Sequence, residues 1–146
     1  MGRKILIAPG PFKECLGADE VAKAIAAGVE LAEPTAQIEL LPMCDGGSGF
    51  VKRIIEHTGG RVVRAPAHDP IGRTITAEYG VIRRDGKLMG IIESAQTAGL
   101  ALLNTEERDP RITSTAGVGD LILHAINHEG CSSVTIGCGD SATNDG

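Results

Sequence analysis

The chain has 146 residues, 42% of them hydrophobic, and a net charge of −5. This length fits one domain, or one domain and a fragment of another. The core should be aliphatic, because Phe12, Phe50 and Tyr79 are the only aromatic residues in the sequence. The positive charges form no cluster and stacking residues are scarce, which argues against nucleic acid as a partner. No apolar run approaches the ~18 residues of a membrane span and the start shows no signal-peptide pattern, so we expect a cytoplasmic protein with no membrane partner.

The first part of the chain predicts alternating strands and helices. The predicted elements are a strand over 4–8, a helix over 18–32, a strand over 37–41 and a helix that carries Phe50 and ends at Gly59–Gly60. The first helix should bury an apolar stripe of Val21, Ile25, Val29 and Ala32. This order is typical of a parallel sheet with helices packed on it, in which the loops after the strand carboxyl ends form the ligand crevice.

The middle of the chain predicts antiparallel pairing, followed by a return to helix and strand. The predicted elements are strands over 61–65, 73–82 and 87–93 with a hairpin turn at 84–86, a short helix over 95–103, a third helix that ends at Gly130 and a strand over 133–137. The third helix should bury Val118, Leu121, Ile122, Ala125 and Ile126.

The predicted fold class is α/β. It combines a parallel Rossmann-like sheet and flanking helices with a smaller, mostly antiparallel β lobe at about 61–93. The predicted domains are the first part of an α/β lobe over 1–60, a β-rich insertion or part of a second lobe over 61–93, and a return to the α/β lobe over 94–146.

The final stretch, residues 134–146, leads a strand into a glycine-rich turn that carries hydroxyl, amide and carboxylate side chains. Such a loop can hold an anion through backbone N–H groups, and it normally opens onto a helix whose N-terminus supplies further donors. The polar side chains that are candidates for phosphate oxygens or Mg²⁺ are Ser141, Thr143, Asn144 and Asp145. By spacing alone, clusters of this kind are more often plain turns, and the Gly-Lys-Ser/Thr of a Walker A loop is absent.

A second candidate anion cradle precedes the third helix. Thr113, Ser114 and Thr115 stand ahead of Gly117 and Gly119, at the predicted start of that helix. Simple capping of the helix by serine or threonine explains the same pattern about equally well.

Four further side chains carry two interpretations each. Asp45 precedes Gly46–Gly47 and is either a site carboxylate or a turn residue before the second helix. Glu93 ends a strand and either faces a cleft or caps the helix that follows. His124 and His128 lie four residues apart on the third helix, where a solvated face is a better interpretation than a metal pair.

Several of these stretches together resemble the bacterial glycerate kinases that phosphorylate glycerate with ATP. The family patterns Ala-Pro-Asp-Ser-Phe-Lys-Gly-Ser-Leu, Ala-Asp-Gly-Gly-Glu-Gly and Gly-Gly-Ser-Ala-Thr-Asn-Asp-Gly-Gly have counterparts in this order. The matching residues are Ala8, Pro9, Phe12, Lys13 and Leu16; Asp45, Gly46, Gly47 and Gly49; 69–72 with 79–80; 92–93 with 98–100; 113–119; and Gly139 with 141–146.

The resemblance implies a kinase that uses ATP and Mg²⁺ to phosphorylate a hydroxyl of glycerate or a related small hydroxy acid. It implies Asp45 and Lys13 as catalytic residues at the acceptor, with Asp145 as the metal ligand. The phosphate- and substrate-binding residues it implies are Gly46, Gly47, Thr113, Ser114, Thr115, Gly117, Ser141, Thr143 and Asn144. Alternatively, Lys13 is a solvated surface lysine beside Glu14.

Family members are longer, with two α/β lobes, and this chain ends inside a family motif. We therefore expect an N-terminal portion of such an enzyme, whose partner is the missing C-terminal portion or a homodimer mate. The alternatives are a non-catalytic binding or regulatory lobe, or one half of a split kinase.

The chain departs from the family patterns at several loop positions. Gly10 and Pro11 stand for Asp and Ser, Glu14 for Gly, Cys15 for Ser, Ser48 for Glu and Asp140 for Gly. A carboxylate at Asp140 would repel a phosphate unless a cation lies between them. We therefore expect a divergent member of the family, and Asp140 is the least typical residue of its final loop.

Overall fold

The computed structural model describes residues 2–12 and 15–145. The chain divides into two compact units, Met1–Asp45 and Gly46–Gly146. Within the described residues, no helix has the length and apolar character needed to cross a membrane. The predicted lobe boundaries at residues 60 and 93 concern the whole protein and stay a prediction.

The first unit is a strand–helix–strand motif. Strands β1 (Lys4–Ile7) and β2 (Gln37–Leu40) pair in parallel, and helix α1 (Ala18–Ala32) connects them, with the predicted helix bounds confirmed. The predicted helix stripe is wrong in part. Ile25 is 43% exposed and Ala32 is also exposed. The unit's apolar cluster is formed by Ile7, Ala22, Ala26, Ile5, Val29 and Ile38. Helix α1 packs through Ala22 and Ala26. These alanines lie on a helix face that is displaced by about one residue from the predicted stripe of larger side chains.

The second unit contains one mixed sheet with the strand order β3-β4-β5-β6. Its strands are β3 (Arg61–His68), β4 (Thr74–Arg84), β5 (Lys87–Glu93) and β6 (Ser133–Gly137), and its helices are α2 (Phe50–Thr58), α3 (Ala95–Ala98) and α4 (Ala116–Asn127). The first three strands are antiparallel and β6 joins β5 in parallel. The α/β class and the antiparallel character of the middle strands are confirmed.

Local signals explain where these strands turn and end. Asp85 and Gly86 both have positive φ, 50° and 77°, which confirms the predicted hairpin turn between β4 and β5. Strand β3 runs beyond its predicted end at Ala65, through Pro66 to His68. Proline can be accommodated in β3 because β3 is an edge strand, in which every second backbone N–H points away from the ladder.

Helices cover both faces of this sheet. Helix α4 packs Leu121 and Ala125 into a cluster with Tyr79 and Ile92. Helix α2 packs against the other face, with Val51 in a cluster that includes Ile82 and Ile91. The predicted buried face of α4 is correct except at Ile126, which is 46% exposed. This arrangement brings the N-termini of two helices to the loops that follow β5 and β6.

Candidate functional site

A cleft of about 470 Å³ opens where the carboxyl end of β6, the final loop and the N-terminus of α4 meet. We call it the β6 cleft. It is lined by Ser94, Ala98, Thr115, Val118, Gly119, Ile122, Ile136, Cys138, Ser141, Thr143, Asn144 and Asp145. All of these residues belong to the second unit. The carboxyl end of a parallel strand is where α/β folds place their ligands. The cleft lies at the final loop, whereas the crevice predicted from the loops after the first two strands stays a prediction, since none of their described residues lines this cleft.

The cleft brings together five of the residues predicted from the sequence. Thr115 comes from the start of α4, while Ser141, Thr143, Asn144 and Asp145 come from the final loop. The Oδ2 atom of Asp145 accepts hydrogen bonds from the Thr115 backbone N–H at 2.8 Å and from Thr115 Oγ1 at 3.3 Å. The helix whose N-terminus contacts the final loop is therefore α4, which comes before that loop in the sequence.

The electrostatics of Asp145 follow from this contact. The Thr115 N–H lies at the positive end of the α4 dipole, and its hydrogen bond lowers the pKa of the Asp145 carboxyl below its usual range. Asp145 is thus ionised at neutral pH and caps the helix that forms one wall of the cleft. Its predicted metal-binding role remains a prediction.

The other residues of the threonine-rich turn pack behind the cleft wall. Thr113 is buried, and its Oγ1 donates to the Ala142 carbonyl at 2.8 Å, which holds the final loop against the turn. Ser114 accepts a hydrogen bond from the Ala116 N–H at 3.1 Å. A Cβ at Gly117 would lie 1.9 Å from the His68 carbonyl oxygen, so this glycine allows α4 to approach β3. Their roles in phosphate binding remain predictions.

The predicted glycines Gly46 and Gly47 lie in close backbone contact with the final loop. Gly46 has a φ of 96°, and a Cβ there would lie 3.0 Å from the Cys138 nitrogen. A Cβ at Gly139 would lie 2.5 Å from the nitrogen of Gly47, which is buried. Both loops therefore need glycine at the points where their backbones are in contact.

The predicted catalytic residues belong to the first unit. Asp45 is exposed at its end, directly before Gly46 in the sequence. Lys13 lies outside the described residues. The catalytic roles of both therefore stay predictions.

Glu93 has a structural role that the sequence did not specify. Its side chain is 3% exposed, and Oε2 accepts hydrogen bonds from the backbone N–H groups of Gly49 at 3.0 Å and Val51 at 3.3 Å. Glu93 therefore caps helix α2, which has a glycine at its N-cap, and not the helix that follows it in sequence. Burial raises the pKa of the Glu93 carboxyl, and these hydrogen bonds only partly offset that effect.

We expect Glu93→Gln to change how stability depends on pH. Because the folded-state pKa of Glu93 is raised above its ordinary value of 4.5, the folded protein binds more protons than the unfolded chain above that pH. The wild-type chain should therefore lose stability relative to Glu93→Gln as the pH rises from 4.5 through the raised pKa. Chemical denaturation across this range measures the difference. The exposed Glu106→Gln serves as the control, and parallel curves for wild type and Glu93→Gln would contradict the assignment.

Of the two histidines predicted to be solvated, His128 is exposed directly after the end of α4, whereas His124 is partly buried. The two rings stack, with centroids 4.5 Å apart, but His124 Nδ1 lies 2.8 Å from the hydroxyl of the buried Tyr79. Burial raises the pKa of Tyr79 to about 12, so the hydroxyl stays protonated. Within residues 2–12 and 15–145, no group of three His, Cys, Asp or Glu side chains could hold a metal ion. His124 is therefore part of a packed contact between α4 and the sheet.

The fold and cleft define an α/β protein whose site, at the carboxyl end of a parallel strand, combines polar side chains of the final loop with apolar residues of α4 and β6. The chain belongs to the glycerate kinase family, whose model matches residues 5–146. It is 44% identical over 143 residues to the glycerate 2-kinase of Escherichia coli K12, and 41% identical over 143 residues to the glycerate kinase of Bacillus subtilis 168. Each alignment covers 98% of this chain and 37% of the relative.

The chain is also similar to a solved structure of a glycerate kinase. The crystal structure of glycerate kinase 2 from Salmonella typhimurium LT2 matches 99% of this chain and 38% of its own, with a TM-score of 0.66 and 41% identity. The chain thus spans about 37% of the length of the curated relatives it matches.

Proposed function

We propose that the full-length protein carrying this chain transfers the γ-phosphate of ATP to a hydroxyl of glycerate or a related small hydroxy acid. Membership of the glycerate kinase family supports a kinase with a small-molecule acceptor. The observation that carries the proposal is the β6 cleft, where the polar side chains of the final loop meet the N-terminus of α4.

The chemistry of the cleft suits a phosphate group. Phosphoryl transfer depends mainly on positioning and charge stabilisation, and a helix N-terminus supplies both N–H donors and a favourable dipole. Ser141, Thr143 and Asn144 add hydroxyl and amide donors beside that helix. Ser94 lines the same cleft, and its buried hydroxyl has no hydrogen-bond partner among the described residues, so a ligand oxygen would satisfy it.

The donor set also fits a Mg²⁺ ion that arrives with the nucleotide. Magnesium is usually bound by one or two carboxylates together with substrate phosphates and water, instead of by an all-protein cage. Asp145 is the acidic side chain among the residues that line the cleft, with hydroxyl and amide oxygens beside it. Asp145 would hold the ion, with Thr143 or Asn144 next to it. The ion would neutralise charge on the phosphates.

We assign the acceptor side of the reaction to Asp45 and Lys13. Asp45 would take the proton from the acceptor hydroxyl, and Lys13 would pair with the substrate carboxylate or the transferring phosphate. These assignments follow from the match to the family patterns. Asp45 is exposed in its own unit, directly before the paired glycines.

The test is an assay of the full-length protein for ATP-dependent phosphorylation of glycerate, with Asp45→Asn as the variant. We expect wild-type turnover, and a kcat at least about tenfold lower for the variant because a positioned base is lost. Asp85→Asn is the matched control. It makes the same change at an exposed hairpin carboxylate whose positive φ of 50° asparagine also accepts, so its activity should equal that of the wild type.

The outcomes separate the hypotheses. Turnover by wild type that survives Asp45→Asn would refute the base assignment but not the activity. A full-length protein that binds no ATP and phosphorylates neither glycerate nor other small hydroxy acids would refute the proposal and favour a non-catalytic lobe. Activity that requires a second co-purifying polypeptide would favour a split kinase.

A further inference from the structure

The β6 cleft has an apolar half in addition to the polar half that suits a phosphate group. The apolar half is formed by Ala98 of α3, Val118 and Ile122 of α4, Ile136 of β6 and Cys138, which follows β6. A phosphate group or a small hydroxy acid has little apolar surface to place against such a wall. The two halves together therefore fit a ligand that joins phosphates to a flat, largely apolar group.

The sheet explains why this apolar wall is open. Ile136 pairs with Ile92 in the register of β5 and β6, and residues paired across neighbouring strands lie on the same face of the sheet. Ile92 is completely buried beneath α4, in the cluster that contains Leu121. However, β6 is an edge strand and α4 packs mainly on β3 and β5, so Ile136 is left 39% exposed. The edge of the sheet thus presents an apolar side chain to the cleft.

A buried polar group in the same cleft indicates that a ligand binds there. Ser94 lines the cleft and is only 7% exposed, and its hydroxyl has no hydrogen-bond partner in the part of the chain that the structure describes. Its backbone N–H donates to the Gly137 carbonyl at 3.0 Å, which fixes Ser94 beside the end of β6. Because buried hydroxyls normally have a partner, this one favours a ligand that carries hydrogen-bonding groups.

We propose that the β6 cleft binds the whole nucleoside triphosphate, with the phosphates at the final loop and the nucleobase against Val118, Ile122 and Ile136. The inference rests on the proposed function, because it takes the phosphate donor to be a nucleotide. It places the hydroxy acid outside this cleft. The nucleobase gains free energy of binding from buried apolar surface, while the N-terminus of α4 stabilises the phosphates. A cleft of about 470 Å³ with both apolar and polar walls is typical of cofactor-sized ligands.

The thiol of Cys138 measures occupation of the apolar half without any need for catalytic activity. It is exposed and lines the cleft, so iodoacetamide should label it in the unliganded full-length protein. A non-hydrolysable ATP analogue with Mg²⁺, at ten times its Kd, should slow this labelling about tenfold by mass action. Tripolyphosphate with Mg²⁺, which lacks the nucleoside, and glycerate should each leave the rate unchanged. Peptide mass spectrometry follows each cysteine separately.

Ser133→Cys is the control for the labelling experiment. Ser133 is exposed at the opposite end of β6, so a thiol there should react at the same rate with and without the analogue. Protection of Cys138 by tripolyphosphate as strong as that by the analogue would overturn the nucleobase assignment, as would protection by glycerate alone. A Cys138 that is not labelled in the unliganded full-length protein would also overturn it, since another part of the protein would then cover the wall.

A second experiment changes the apolar wall itself. We expect Ile136→Asn to raise the Kd of the ATP analogue about tenfold, because apolar contact with the base is lost, and to leave the Kd of tripolyphosphate unchanged. Isothermal titration calorimetry of the full-length protein measures both constants, and thermal unfolding confirms that the variant is folded. Ile126→Asn is the matched control. It makes the same change at a similarly exposed isoleucine of α4 that does not line the cleft, so both Kd values should equal those of the wild type.

The outcomes distinguish this inference from the proposed function. If the wild type binds the analogue but neither Cys138 labelling nor Ile136→Asn responds as expected, the nucleobase site is refuted and the proposed kinase activity stands. If the wild type binds no nucleotide, both are refuted. If Ile136→Asn weakens the binding of the analogue and of tripolyphosphate equally, the substitution disturbs the cleft as a whole and the contact with the base is refuted.

Discussion

Replacing Gly117 by alanine is expected to lower the free energy of unfolding by about 3 kcal/mol, the upper range for overpacking a tight site. An added Cβ would lie 1.9 Å from the carbonyl oxygen of His68 and 2.9 Å from the Cβ of Thr97. The first of these atoms belongs to the backbone of a paired strand and cannot move without breaking the sheet. Helix α4 would therefore have to shift away from β3.

Gly119 supplies the matched control, two residues along the same helix. A Cβ there meets nothing within 4 Å, so Gly119→Ala should leave stability unchanged or raise it by up to ~1 kcal/mol through helix propensity. Chemical denaturation of both variants measures the contrast. If Gly117→Ala is as stable as the wild type, α4 does not approach β3 this closely.

The shift of α4 expected for Gly117→Ala would also affect the β6 cleft. Thr115, Val118 and Gly119 line it from α4, so a displaced helix would move one wall of the site. Loss of the close packing at Gly117 is therefore expected to disturb the cleft as well as the stability of the fold. The surroundings of Gly117 show a packing role. Its predicted part in phosphate binding stays a prediction.

Local signals in the sequence were sufficient for much of the fold. Helix α1 has its predicted bounds, and the Asp85–Gly86 turn forms the hairpin, because capping and turn chemistry act over a few residues. The buried stripe of α1 was predicted wrongly at Ile25 and Ala32, which are both exposed. Periodicity gives the helical pitch, but when both large and small apolar residues are present it does not decide which of two neighbouring faces is buried.

Contacts between distant parts of the chain account for what the sequence could not reveal. Glu93 caps α2 across 44 and 42 residues of sequence, and no local pattern pairs a strand-end carboxylate with an earlier helix. The final loop is completed by the N-terminus of α4 through Asp145 and Thr115, although α4 precedes it. A glycine-rich loop can therefore obtain its helix from anywhere the sheet topology places one, which is why the chain order alone was misleading.

Removing the Asp69 carboxylate is expected to cost about 2–3 kcal/mol of unfolding free energy at neutral pH, because hydrogen bonds to a buried charge are lost. Asp69 is 3% exposed, and Oδ1 accepts from the backbone N–H groups of Ile71 at 3.0 Å and Arg73 at 2.8 Å. Its Oδ2 pairs with the Arg73 guanidinium, which also reaches Glu107 and the Leu102 carbonyl. Since Arg73 is about half exposed, solvent screening keeps the cost below that of a fully buried pair.

The pH dependence of Asp69→Ala provides a signature of the carboxylate. Burial alone would raise the pKa of Asp69, but hydrogen bonds from Arg73 and Ile71 outweigh burial and lower it below its ordinary 3.8. The stabilisation is therefore fully present above pH 3.8 and is lost as the pH falls through the lowered folded-state pKa. The difference in unfolding free energy between wild type and Asp69→Ala should stay constant near neutral pH and shrink in acid.

Asp109→Ala is the control for this prediction. Asp109 also bonds an arginine close in sequence, with Arg111 Nη2 at 2.6 Å, but the Arg111 side chain is 86% exposed. Screening in water should make the loss at Asp109 clearly smaller than the loss at Asp69. Equal losses at the two positions would show that burial of Asp69 adds nothing to its ion pair. A difference between wild type and Asp69→Ala that persists at the lowest pH would assign the effect to packing and not to charge.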